Sequence, residues 1–290
     1  MATMCDSTRQ STSGAARLRQ VALIVSDLAA AENILHMVLG TEVVFRDPEV
    51  ARWGLSNFLA PLGGDLIEVV SPFRDGTTAG RLLAKRGEGG YMIIMQTLDA
   101  AAQRQHVESC DLAKVIFSFS KEDVDCVQYH PKGIPGGMMP ELDSHTPSRE
   151  NPEPLTSRFS PWHACGPDFQ GYAAAMARSS HFQLLGVTCR LASGDKDTEG
   201  AARKWEQTFG VIRDGSELVF TNARLRFLEG VKNVSDGLES ITVGLHGKAL
   251  YDQVHRTARE QQVEKGGQVL MLGVKWHFVL LDSKEIKSVM

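Results

Sequence analysis

The feature that most constrains this chain is a repeated order of elements, in units too small to stand alone. From Leu18 the run Leu-Arg-Gln-Val-Ala-Leu-Ile-Val reads as a strand, Ser26 and Asp27 as helix caps, and Leu28–Leu39 as a helix with apolar residues at helical spacing, closed by Gly40. Three extended runs follow: Glu42–Phe45, Trp53–Leu59 after Asp47-Pro48, and Asp65–Val70 after Gly63-Gly64. The order restarts at Gly89-Gly90 with strand Tyr91–Thr97, helix Asp99–Ser109 and strands near Lys114–Phe119, Val124–His130 and Gly137–Leu142. A βαβββ unit of about sixty to seventy residues cannot bury both sides of its sheet, so such units pair and share a core.

Beyond Asp143 the pattern breaks. Pro147, Pro152, Pro154, Pro161 and Pro167 crowd the stretch to about Ser180 and argue against a helix or central strand through most of it, although Trp162, Phe169 and Tyr172 are too aromatic for a fully solvated tether. The plan then repeats: strand Leu184–Leu191, helix Thr198–Phe209 closed by Gly210, strands Glu217–Phe220 and Arg224–Leu228. Strand Glu239–Leu245, helix Lys248–Gln262 and strands Gln268–Leu272 and Val274–Leu281 complete it. The expectation is an α+β protein of tandem βαβββ modules in two domains. Its boundaries are a flexible leader at 1–17, a first domain at 18–143, a Pro-rich linker at 144–182, a second and degenerate domain at 183–282, and a tail at 283–290.

Composition narrows the function classes. The 290 residues are 42% hydrophobic and 23% charged, ordinary for a globular protein and enough for about two cores. A net charge of −4 with scattered basic residues offers no footprint for nucleic acid. Apolar runs such as Val21–Val25 and Tyr91–Met95 fall far below the ~20 residues of a membrane helix. The five cysteines are odd in number, far apart and form no CxxC pair, which points to reduced thiols and a cytoplasmic protein. No P-loop, GxGxxG fingerprint, GxSxG elbow or HExxH pair is present, so neither a nucleotide cofactor nor nucleophilic hydrolysis is implied.

The duplicated unit beginning Leu-Arg-Gln-Val-Ala-Leu-Ile-Val-Ser-Asp-Leu resembles the vicinal oxygen chelate superfamily, which includes glyoxalase I, methylmalonyl-CoA epimerase, extradiol dioxygenases and bleomycin-resistance proteins. Leu66–Pro72 (Leu-Ile-Glu-Val-Val-Ser-Pro), Gly89–Ile93, His130-Pro131-Lys132 and Gly136–Leu142 add to the match over Leu18–Asp143. Trp162–Phe169 and the Ala201–Gly210 helix further look like a two-domain, glyoxalase-like subgroup. The resemblance implies paired modules forming cupped mixed sheets around one divalent metal ion (Mg, Mn, Fe or Zn), with ligands from the first and last strand of each module. The matching positions are Gln20, Glu68, Met92 and Glu141. Gln20, Glu68 and Glu141 suit hard cations, whereas Met92 puts a neutral thioether where the superfamily usually supplies His.

Strand parity puts Glu68 on a face with Leu66 and Val70, where a carboxylate is costly to bury unless paired, metal-bound or neutralised. A strand-end residue satisfied by backbone or water is the plain alternative, and Pro140 gives Glu141 a similar one at a strand edge. His130, before a Gly-Pro-Gly-Gly loop, is a proton shuttle or merely an exposed loop residue. Arg74 with Thr77 forms an anion contact or belongs to a capped connection. Met92, Ile94 and Met138 or Met139 read as an adaptable apolar wall for substrate.

Two functions compete. One is an enzyme moving a proton beside a carbonyl of a small oxygenated metabolite (isomerase, epimerase or lyase), with Glu68, Glu141 and His130 catalytic and Gln20, Glu68 and Glu141 holding any metal. The other is sequestration of a small molecule without turnover, as in the bleomycin-resistance branch. Extradiol dioxygenase chemistry wants two His and one carboxylate, and the matching positions hold no His. The chain is expected as a monomer or homodimer without nucleic-acid or membrane partners, its second domain lacking ligand residues.

Overall fold

The computed structural model describes residues 14–281. Elements run β1 (Arg17–Ile24), α1 (Leu28–Leu39), β2 (Leu55–Leu62), β3 (Asp65–Pro72), α2 (Thr78–Arg86), β4 (Gly89–Gln96), α3 (Ala100–Ser109), β5 (Val115–Lys121), β6 (Val124–Tyr129) and β7 (Met139–His145). They continue with α4 (Phe169–Arg178), β8 (Phe182–Arg190), α5 (Thr198–Phe209), β9 (Ile212–Asp214), β10 (Glu217–Val219) and β11 (Arg224–Leu228). The last are β12 (Gly237–His246), α6 (Lys248–Glu260), β13 (Glu264–Lys265), β14 (Gln268–Met271) and β15 (Val274–Leu281). Strand order is β2-β3-β1-β4-β7-β6-β5 in one sheet and β13-β14-β15-β12-β8-β11-β10-β9 in the other. This is the α+β architecture of tandem modules expected from the repeat.

Local chemistry explains why the helices begin where they do. The carboxylates of Asp27, Asp99 and Asp197 accept the backbone N–H groups of Ala30, Ala102 and Gly200, satisfying first-turn donors of α1, α3 and α5. Gly40 and Gly210 close α1 and α5 in the left-handed conformation, at φ 66° and 69°.

The two central parallel pairs share one register. In β1 and β3 Gln20 pairs with Leu66 and Ala22 with Glu68; in β4 and β7 Met92 pairs with Met139 and Ile94 with Glu141. Backbone geometry thus supports the equivalence of Gln20 with Met92 and of Glu68 with Glu141.

Several expectations are corrected. Glu42–Phe45 is not a strand: only an isolated bridge joins Phe45 to Leu59, because Asp47 and Pro48 start a 3₁₀ turn over Pro48–Trp53. The segment expected as a linker carries α4, which begins after the last of its prolines and is capped by Asp168. β9 and β13 are short strands that sequence periodicity did not show. Cys126, Cys165 and Cys189 are free and buried, but Cys110 is disulfide-bonded, against the expectation of reduced thiols throughout. Most of the proposed leader and the proposed tail lie outside the described residues, and Arg17 already belongs to β1.

The chain forms two compact units. Unit 1 comprises the chain through Arg19, Met92–Ser157 and Thr188–Gly237; unit 2 comprises Gln20–Tyr91, Arg158–Val187 and the chain from Leu238. The second and third modules therefore belong to one unit, the first and fourth to the other. Within unit 2, α1 packs on α6, and Ile24, Leu55, Val70 and Ala79 form a buried cluster. Within unit 1, α3 packs on α5, whose fully buried Trp205 donates its indole N–H to the Pro135 carbonyl at 2.9 Å.

Candidate functional site

In unit 2 the Glu68 carboxylate is the centre of a locked hydrogen-bond network. Gln20 Nε2 donates to Glu68 Oε2 at 2.8 Å and Asn57 Nδ2 to Glu68 Oε1 at 2.6 Å. Each amide is fixed from its other end by a group that can only donate. The Trp162 indole N–H donates to Gln20 Oε1 at 2.9 Å, and the Asp47 backbone N–H to Asn57 Oδ1 at 2.9 Å. Neither amide can turn over without placing an N–H against an N–H, so both present donors to Glu68. Burial raises the Glu68 pKa above the ordinary carboxylate value, opposed by the hydrogen bonds from Asn57 and Gln20 and reinforced by the charge of Asp47. The residue as a whole is half-buried.

The expected metal set was tested against this geometry. An amide ligates a cation through its oxygen, and Gln20 Oε1 is committed to Trp162 while its N–H faces the carboxylate. Both Glu68 oxygens already accept N–H groups. Gln20 turns an N–H rather than its oxygen toward Glu68, so the two do not fit a metal-ligand pair, while each Glu68 oxygen keeps a second acceptor position.

Unit 1 gathers a different set. Gln128 and Cys126 of β6 pair across from Glu141 and Asp143 of β7, which pair in turn with Ile94 and Gln96 of β4. Paired residues of neighbouring strands point to the same side, so these side chains share one face with Met92 and Met139. Gln128 Nε2 donates to Glu141 Oε2 at 2.5 Å. Cys126 Sγ and carboxylate oxygens of Glu141 and Asp143 lie within 4.8 Å of one another. Burial pushes the Asp143 carboxyl up to about 7, with hydrogen bonds from Cys126 and Glu141 pulling it back. Burial first, then the charges of Glu141 and Asp143, hold the Cys126 thiol far above its ordinary value.

The remaining expected residues are placed as follows. Met92 and Ile94 are buried beside Glu141, with Met139 partly buried on the same face. His130 is exposed at the end of β6, its ring nitrogen accepting the Lys132 backbone N–H at 2.9 Å. Arg74 is exposed beyond β3 with one long bond to the Ala51 carbonyl at 3.4 Å, and Thr77 caps α2 by accepting the Gly80 N–H. Asn57, Trp162, Asp143, Cys126, Gln128 and Gln96 were not assigned from sequence. Spacing signalled only Asp143, two residues from Glu141 on a strand.

Comparison with known structures bears on the fold. A hypothetical protein from Staphylococcus aureus matches 92% of this chain and 100% of its own at a TM-score of 0.58 and 11% identity. That likeness is one of fold and spans nearly the whole chain. Methylmalonyl-CoA epimerases also match: that of Mycobacterium tuberculosis covers 45% of this chain and 89% of its own, at 23% identity and a TM-score of 0.40. That of Streptomyces coelicolor covers 45% and 98%, at 20% identity and the same TM-score. No protein-family model and no curated protein matches the sequence of this chain. No helix among the described residues is long and apolar enough to cross a membrane.

Proposed function

We propose that this glyoxalase-like protein is an enzyme that moves a proton beside a carbonyl of a small oxygenated metabolite, as an isomerase, epimerase or lyase. Glu68 is the base. The observation that carries the reading is the Glu68 network. Each carboxylate oxygen has two acceptor positions, and each spends one on a locked amide, leaving one for a substrate proton. Burial raises the carboxyl's pKa and so its strength as a base, while the hydrogen bonds from Asn57 and Gln20 oppose that rise. Abstraction of a C–H proton leaves an enolate and protonated Glu68. Returning the proton to another atom is isomerisation, and to the other face of the same carbon, epimerisation.

Arg74, also in unit 2, supplies an anion contact in this reading. The protein is placed in the cytoplasm as a monomer or homodimer whose partner is a small molecule. The test is exchange of carbon-bound protons in deuterated water, followed by proton NMR over 2-hydroxy carbonyl compounds, 2-oxo acids and acyl thioesters. Exchange that is lost in Glu68→Gln, with ligand affinity retained, is the expected result. Full exchange by that variant overturns the assignment. The buried Met92 and Ile94 beside Met139 favour one alternative, retention without turnover, which predicts saturable binding and no exchange with any compound.

A further inference from the structure

The polar face of unit 1 holds more ligand chemistry than proton transfer at Glu68 uses. We infer that unit 1 contains a site for one divalent cation of the zinc class, held by Cys126 Sγ, the carboxylates of Glu141 and Asp143 and the amide oxygen of Gln96. The inference goes beyond the proposed base and does not depend on it.

Three observations converge. Cys126 Sγ and oxygens from Glu141 and Asp143 already lie within 4.8 Å of one another, whereas a tetrahedral ion with ligand bonds of about 2.0–2.3 Å wants its donors about 3.5 Å apart. The closure required is on the order of an ångström of side-chain movement. Next, Gln96 is fully buried, and its Oε1 has no hydrogen-bond partner although its Nε2 donates to the Pro154 carbonyl at 2.9 Å. A buried amide oxygen without a partner is destabilising, and a cation would satisfy it. Finally, register puts Gln96, Asp143 and Cys126 in one row across β4, β7 and β6. The equivalent row of the first module is Ile24, Val70 and Asn57, so two apolar positions become ligating side chains and an amide becomes a thiol.

The donor set selects the metal. Thiolate prefers zinc-like ions to magnesium or calcium, and the carboxylates and amide oxygen complete four donors. Binding expels the thiol proton and any proton held between Glu141 and Asp143. Gln128 Nε2, donating to Glu141, is placed to orient that ligand.

The test uses the full-length protein, stripped with a chelator and titrated with Co²⁺ alone. One equivalent should bind with a thiolate-to-cobalt charge-transfer band and the strong visible absorption of a four-coordinate ion, both abolished by added Zn²⁺. Cys126→Ser should remove the charge-transfer band while Cys189→Ser, at a buried free thiol elsewhere in unit 1, retains it. Asp143→Asn should weaken Co²⁺ at least tenfold, and Gln96→Leu should weaken it less, with the band kept. Circular dichroism confirms folding, and should Cys126→Ser not fold, the near-isosteric Asp143→Asn decides the matter. A band that survives Cys126→Ser, affinity unchanged in Asp143→Asn, or several weak equivalents without a thiolate band overturns the inference. The readout is absorption rather than turnover, so failure of the Glu68 reading would leave it unchanged.

Discussion

Trp162→Phe is the sharpest perturbation of the Glu68 network, because it deletes one N–H and leaves an aromatic ring. Trp162 is fully buried and its indole N–H is the group that fixes Gln20 Oε1. Removing it strands that oxygen, at a cost of about 1–3 kcal/mol, and the smaller ring adds about 1 kcal/mol of cavity. The total of roughly 2–4 kcal/mol corresponds to a fall in melting temperature on the order of 5–10 °C. Burial loss and bond loss separate in a double-mutant cycle with Gln20→Leu: the stranded oxygen is absent from the double variant, so a coupling of about 1 kcal/mol or more is expected. Function should respond as well. Once the indole is gone the Gln20 amide is free to turn, and its N–H is one of the two bonds that lower the Glu68 pKa. If Glu68 is the base, the acid limb of the pH–rate profile for proton exchange moves upward in Trp162→Phe. Zero coupling together with an unmoved acid limb would refute the claim that Trp162 positions Gln20 for Glu68.

Other outcomes follow from the same structure. Since the folded pKa of Glu68 is raised, the folded chain binds its proton more tightly than the unfolded one, so the group's contribution to stability is fully present below the unfolded pKa of about 4.3 and is lost as pH rises through the folded value. Melting curves of wild type against the non-titrating Glu68→Leu should show wild type losing ground between about pH 4 and neutrality; a constant difference is the contrary result. At Gly166, with φ +72°, a Cβ would come within 2.4 Å of the Phe45 ring, so Gly166→Ala should cost more than Gly40→Ala, which carries only the left-handed penalty of about 1–2 kcal/mol. Chemical denaturation of the two variants ranks them, and equal losses contradict the packing. Burial holds the Cys126 and Cys189 thiols above their ordinary range, so an alkylating reagent near neutral pH should label both only after unfolding, as peptide mass spectrometry would show.

What could be read in the sequence depended on whether the signal was local. Asp27 before an apolar stripe and Gly40 after it define α1 within a dozen residues, and the same device marks α5. Alternation placed Glu68 with Leu66 and Val70, which is a property of one strand. Asn57 and Trp162 were hidden for the opposite reason: Asn57 is one polar residue in a neighbouring strand, and Trp162 reaches Gln20 across 142 positions of sequence. The prolines from Pro147 to Pro167 argued against a helix or central strand through most of the stretch to about Ser180; a 3₁₀ turn lies at His163–Cys165, and prolines carry no information about α4 beyond them.

The two acids illustrate where the limit lies. Glu68 and Glu141 occupy equivalent register positions, as do Asn57 and Cys126, Leu59 and Gln128, and Val70 and Asp143. One backbone frame therefore supports a buried carboxyl in two ways. In unit 2 neutral amides on both flanks, each locked by a donor, favour the ionised form. In unit 1 a second acid and a thiol crowd the first, and burial raises the Asp143 carboxyl. The repeat identifies the positions, and the chemistry is decided by which neighbours fill them. For that reason the departure at Met92 is not by itself a loss of metal chemistry: in the proposed site the row of Gln96, Asp143 and Cys126 lies two rows along the same face, and β4 contributes a donor there through Gln96.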